Sequence, residues 1–163
     1  MAQNDIKVGV GSISTVPPTV TWQTEAGATA ILPGEPVKLK LAGSPYVIPV
    51  ADNEPVIGTT TAVVGIAQSA STHTASADGS VEVYVPVPGV KYGAKATTAA
   101  NFNTQAEINA LRGDRVTFDL ISGTYTVNED EGDAADHGLM IVGGDPDTQE
   151  VHFIIRSSAT LLD

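Results

Sequence analysis

The chain has 163 residues, 42% hydrophobic and 17% charged, which is the composition of a folded domain with a core rather than of a disordered chain. It has no cysteine, so a disulfide framework and a thiolate metal site are both excluded. The net charge of −11 is placed mostly at the end: residues 128 to 163 hold nine acids and one base, Arg156, so the field repels phosphate backbones and argues against direct nucleic-acid binding.

The opening MAQNDIKVGVGSIS lacks the basic residues and continuous apolar run of a secretory signal, and no later stretch reaches the ~18 apolar residues of a membrane span. A chain made and kept soluble, without membrane contact, is the expectation. Residues 1 to 25 read as an extended arm with short strands at 6 to 10 and 19 to 23, because Pro17 and Pro18 favour a polyproline-like path and do not fit a central strand. Ile6, Val8, Val10, Val16, Pro17, Pro18, Val20 and Trp22 are its candidate contacts to another subunit or a larger surface. Trp22, the single tryptophan, serves equally well as a plug for one end of the core.

Residues 26 to 163 read as one β domain. EPVKLKLA (35 to 42) alternates Val37, Leu39 and Leu41 with two lysines after a Pro33-Gly34 turn. YVIPVA and AVVGIAQS follow, and then Val81, Val83, Val85 and Val87 occupy every second position after the Asp78-Gly79 reversal. In that last segment the valine face points to the core, and Pro86 with Pro88 ends the strand or guards it against edge pairing. The small-residue stretches 69 to 80 and 94 to 101 read as mobile loops.

One helix near 104 to 112 is expected, since Thr104 stands three residues before Glu107 as a capping box and Gly113 marks the stop; Ala106, Ile108 and Leu111 would cover an open end of the β core. DRVTFDLI, TYTV, GLMIVGG and EVHFIIRSS supply further strands, the last two pairing across GGDPDTQ. The predicted class is mainly β, an antiparallel sandwich or small barrel with one short helix and an N-terminal arm.

No catalytic set emerges. The three histidines, His73, His137 and His152, lie in a Ser/Thr/Ala loop, an acidic loop and a strand, with no G-x-S-x-G elbow and no cysteine. The acidic run 128 to 138 fails the calcium-loop spacing: counting from Asn128, glycine falls at the fifth position (Gly132) and Leu139 stands where the bidentate glutamate belongs. A solvated acidic loop is the simpler reading. GVGSIS lacks the third glycine and the helix of a dinucleotide site, and the 5% aromatic content argues against a sugar-stacking groove. No enzyme, no cofactor and no metal are expected.

AILPGEPVKLKLAG, followed by VVGIAQSASTHTASADGSVEVYVPVPGVKYGAKA, resembles the small head-decoration, or cement, proteins of tailed bacteriophages over about residues 30 to 96. The resemblance implies a virion protein on the outer capsid surface, bound to the major capsid protein and self-associated as a homotrimer, that braces the shell. A phage tail or baseplate β module, a cell-surface β domain and a hydrolase with an unrecognised site are the competing readings.

Overall fold

In the computed structural model, which describes residues 6–9, 17–55 and 62–160, the alternating segments resolve into two antiparallel sheets and a single short helix. Among the described residues the strands are β1 Lys7–Val8, β2 Thr19–Thr24, β3 Pro36–Leu39, β4 Val47–Pro49, β5 Val63–Ala67, β6 Gly79–Tyr84, β7 Tyr92–Lys95, β8 Arg115–Ile121, β9 Thr124–Asn128, β10 Leu139–Asp145 and β11 Glu150–Ile155, with helix α1 at Gln105–Leu111. The protein is thus mainly β, two layers and one helix.

The five-stranded sheet runs in the order β2-β6-β5-β3-β4. Its core follows from period-two alternation: Val81 and Val83 are buried while Glu82 between them is exposed, and they pack with Ile31, Val37, Leu39, Val47, Val64 and Ala67. β6 lies between β2 and β5, so its prolines guard no sheet edge. The valine face does point inward, but the strand ends at Tyr84. Pro86 is buried, and Pro88 with Gly89 (φ +88°) forms the turn closed by Val90 N–H to Val87 O at 3.3 Å, which directs the chain to the other sheet. Gly65 holds φ +151° where β5 crosses β6; a Cβ there would lie 2.0 Å from the Tyr84 carbonyl oxygen.

The six-stranded sheet, β1-β7-β11-β10-β8-β9, curls into a half-barrel, and an isolated bridge between Ala96 and Val127 brings β7 back beside β9. Inside it Tyr92 stacks on Phe153 at 5.7 Å, and Phe118 meets Phe153 and Tyr125 edge-on at 5.7 and 6.2 Å. β7 falls partly within the expected loop 94 to 101. Its Gly93, Ala94 and Lys95 lack strand propensity, yet the segment is bonded to β1 on one side and β11 on the other, and tertiary pairing overrides the composition. The stretch 69 to 80 is likewise tied down: Ser71 N–H bonds Ile31 O, Thr72 N–H bonds Ser80 O, and Gly27 N–H bonds Thr74 O, all at 2.9 Å.

The capping box of α1 is present, with Glu107 N–H donating to Thr104 Oγ1 at 3.3 Å and Thr104 N–H donating to Glu107 Oε2 at 2.9 Å. Ile108 is fully buried and Leu111 packs beside it, but Ala106 is exposed; a residue two positions away faces nearly the opposite side of a helix.

Where it is described, the region expected as an arm pairs with the domain's own strands. Lys7 and Val8 lie opposite Gly93 and Tyr92, Ile6 is buried, and all of β2 is paired with β6. Cutting the chain after residue 25 would therefore remove two strands, β1 and β2, and take from β6 its partner on one side.

Candidate association surface

The eight candidate contacts separate by burial. Ile6 and Pro17 are buried, Val8 packs on the core of the six-stranded sheet, and Trp22 is half-buried against the core of the five-stranded sheet. Pro18 is exposed and Val20 is 45% exposed. Val10 and Val16 lie outside the described residues. Trp22 thus serves as the core plug, with its indole N–H buried and without a hydrogen-bond partner.

The exposed residues lie on a sheet edge, and one bond sets its phase. Val85 N–H donates to Pro18 O at 2.9 Å, so Pro18, Val20, Trp22 and Thr24 turn their main-chain groups to β6. Those of Thr19, Thr21 and Gln23 face the open side. Gln23 is met there by Tyr46 of the β3–β4 hairpin, through a single parallel bridge. Among the described residues no strand pairs with this edge from Pro18 to Trp22, and from Pro17 to Thr24 no side chain is charged, although charges are the usual device for blunting an edge. The sequence marked this stretch as a short strand at 19 to 23 within an arm, but an edge strand and an arm read alike, and pairing partners are not local information.

The end of β2 is pinned. Asp78 accepts Ala26 N–H at 2.8 Å and the Tyr46 hydroxyl at 2.8 Å, and these bonds, the Ala26 one first, hold its carboxyl below the usual range.

The acidic loop is not freely solvated. Glu129 is buried and accepts Thr97 and Thr98 N–H at 2.9 and 2.8 Å; burial pushes its carboxyl up. Glu131 accepts Thr117 N–H at 3.1 Å, and Arg115 forks onto Asp133, bringing that carboxyl down to about 2. His137 joins Nδ1 to Arg115 O at 2.9 Å, with Nε2 3.4 Å from Glu131. The carboxylates thus fasten the loop to β8 and to the segment after β7. Among the described residues no three His, Asp or Glu side chains converge for a metal ion.

The other histidines are held by different neighbours: His73 Nε2 lies 2.9 Å from Ala28 O, and His152 Nε2 lies 3.4 Å from Glu150. Among the described residues no helix is long and apolar enough to cross a membrane. No family model matches the chain, and no curated protein matches it by sequence.

Proposed function

We propose that the protein is a structural component of a tailed-phage virion that decorates and stabilises the outside of the capsid, bound to the major capsid protein and associated as a homotrimer. The observation that supports this reading best is the uncharged edge of β2 that no described strand covers from Pro18 to Trp22, with Thr19 and Thr21 offering main-chain groups and Val20 an exposed aliphatic side chain. An extended segment of the shell protein adds to such an edge through main-chain hydrogen bonds and needs no pocket. Many copies on one shell make modest affinity per site sufficient. The surface is built for adhesion, and the reading assigns it no reaction.

Two substitutions test the edge without touching the β6 ladder. Thr21→Pro removes an outward N–H, and Val20→Lys places a charge where none stands. Electron microscopy of purified capsids and tails incubated with each protein reads the result. The native chain is expected on shells and both variants are expected to be depleted from them, with unchanged circular dichroism. Binding of the native chain to tails alone would replace this reading with the tail-module one, and equal decoration by both variants would remove the edge from the attachment.

A further inference from the structure

Two features of the surface match in shape and charge. One is a knob: β8 and β9 close over the tight turn Ser122-Gly123 (φ +52° and +82°), and Ile121 beside it is 45% exposed. Carboxylates flank it. Asp119 lies two residues back on the same face, and Asp52 accepts Leu120 N–H at 2.8 Å.

The other is a groove of about 260 Å3, walled by Pro86, Pro88, Val90, Ile154, Ile155 and Arg156. The two prolines make its wall rigid before anything binds. Arg156 is the single base of residues 128 to 163; it donates to Ala135 O and His137 O through Nη1, at 3.2 and 2.7 Å, which leaves further guanidinium N–H groups for an incoming carboxylate. Strand register keeps knob and groove apart, on β8 and β11, with β10 between them. Leu139 of β10 stands opposite both Ile155 and Val116, and Ile121 is five residues beyond Val116, roughly 17 Å along the strand.

We propose that the Ile121 hairpin tip of one copy inserts into the Arg156 groove of a second copy. The inference rests on the self-association within the function proposed above and is independent of attachment to a capsid. Its occupant is a second copy because the knob carries the aliphatic side chain and the acids that the groove's apolar walls and cation complement. Since knob and groove are different patches, the contact is head-to-tail, and such contacts close into rings when the rotation between copies permits; a ring of three is the expected closure.

The full chain, free of capsids, is measured by size-exclusion chromatography with light scattering. The native protein is expected at the mass of three chains. Ile121→Asp, and Ile121→Ser as an uncharged control, remove the knob at an exposed position; Pro88→Asp sets a negative charge on the groove wall. Each variant alone is expected to need at least roughly tenfold more protein for half-assembly, the factor lost with one buried isoleucine side chain. Mixing Ile121→Asp with Pro88→Asp leaves one intact knob and one intact groove, and a 1:1 complex of two chains is expected. A native chain that runs as one copy at every concentration, Ile121 variants that assemble like it, or a mixture that stays at single-chain mass would each overturn the proposal. Any of these results leaves decoration itself to the microscopy.

Discussion

The two sheets close their seams differently. In the six-stranded half-barrel β7 and β9 meet through Ala96 and Val127, Thr97 N–H is shared between Val127 O at 3.0 Å and the Glu129 carboxylate, the hydroxyls of Thr97 and Thr126 meet at 2.7 Å, and Glu129 also accepts the Thr98 amide. In the five-stranded sheet Gln23 of β2 meets Tyr46, just before β4, and among the described residues no strand pairs with the rest of the outer side of β2. Their interiors differ too: the half-barrel packs Tyr92, Phe102, Phe118, Tyr125 and Phe153, whereas the buried core of the other sheet is aliphatic. A stitched seam over an aromatic core supplies stability, and the attachment proposed above uses the sheet whose margin no described strand covers.

The cores provide the largest test. Phe118→Ala, at a fully buried position between two rings, is expected to cost about 3 to 5 kcal/mol in urea unfolding. Ile31→Ala in the aliphatic core is expected to cost less, about 2 to 4 kcal/mol. An equal or reversed order would end the assignment of stability to the half-barrel.

Glu129→Ala addresses the seam. It strips the acceptor from the Thr98 amide and leaves Thr97 N–H only Val127 O, so a loss of about 1 to 3 kcal/mol is expected, with hydrogen exchange accelerating at Thr98 before the rest of the sheet. Uniform acceleration across both sheets would contradict a local stitch. Thr104→Ala removes the helix cap and is expected to cost about 1 kcal/mol by thermal unfolding, because α1 covers the half-barrel through Ile108 and Leu111 alone.

The smallest effect is in acid. Asp133 titrates at about 2 in the folded chain, below the ordinary carboxylate value near 4, so the stability its Arg115 fork contributes is present above pH 4 and fades as pH falls toward 2. A carboxyl NMR titration with its midpoint near 2, moved by Arg115→Gln to the ordinary range, is the expected result. A midpoint near 4 in the native chain would remove the fork in solution.

Much of the β character was legible locally. The alternation at 35 to 41, 81 to 84 and 115 to 121 marks strands because a pleated chain with one wet face must repeat every two residues, and Thr104 with Glu107 announces a helix start through bonds three residues apart. β7 was hidden, since its small residues gain their order from β1 and β11, far away in the chain. The acidic run showed its charge but not its partners: Glu129, Glu131 and Asp133 are fixed by Thr97, Thr117 and Arg115.

Composition and periodicity by themselves determined a β protein without cysteine chemistry, carrying one capped helix and an excess of acid toward its end, because these depend on side-chain type and on spacing within a few residues. Only the tertiary structure decided that residues 19 to 24 are a sheet edge paired to β6 instead of a free arm, that the prolines after Tyr84 steer between sheets, and that Ile121 and the Arg156 groove are separate patches of one sheet. Each of these depends on which distant strand lies alongside, and pairing across long sequence separations leaves no period in the chain to read.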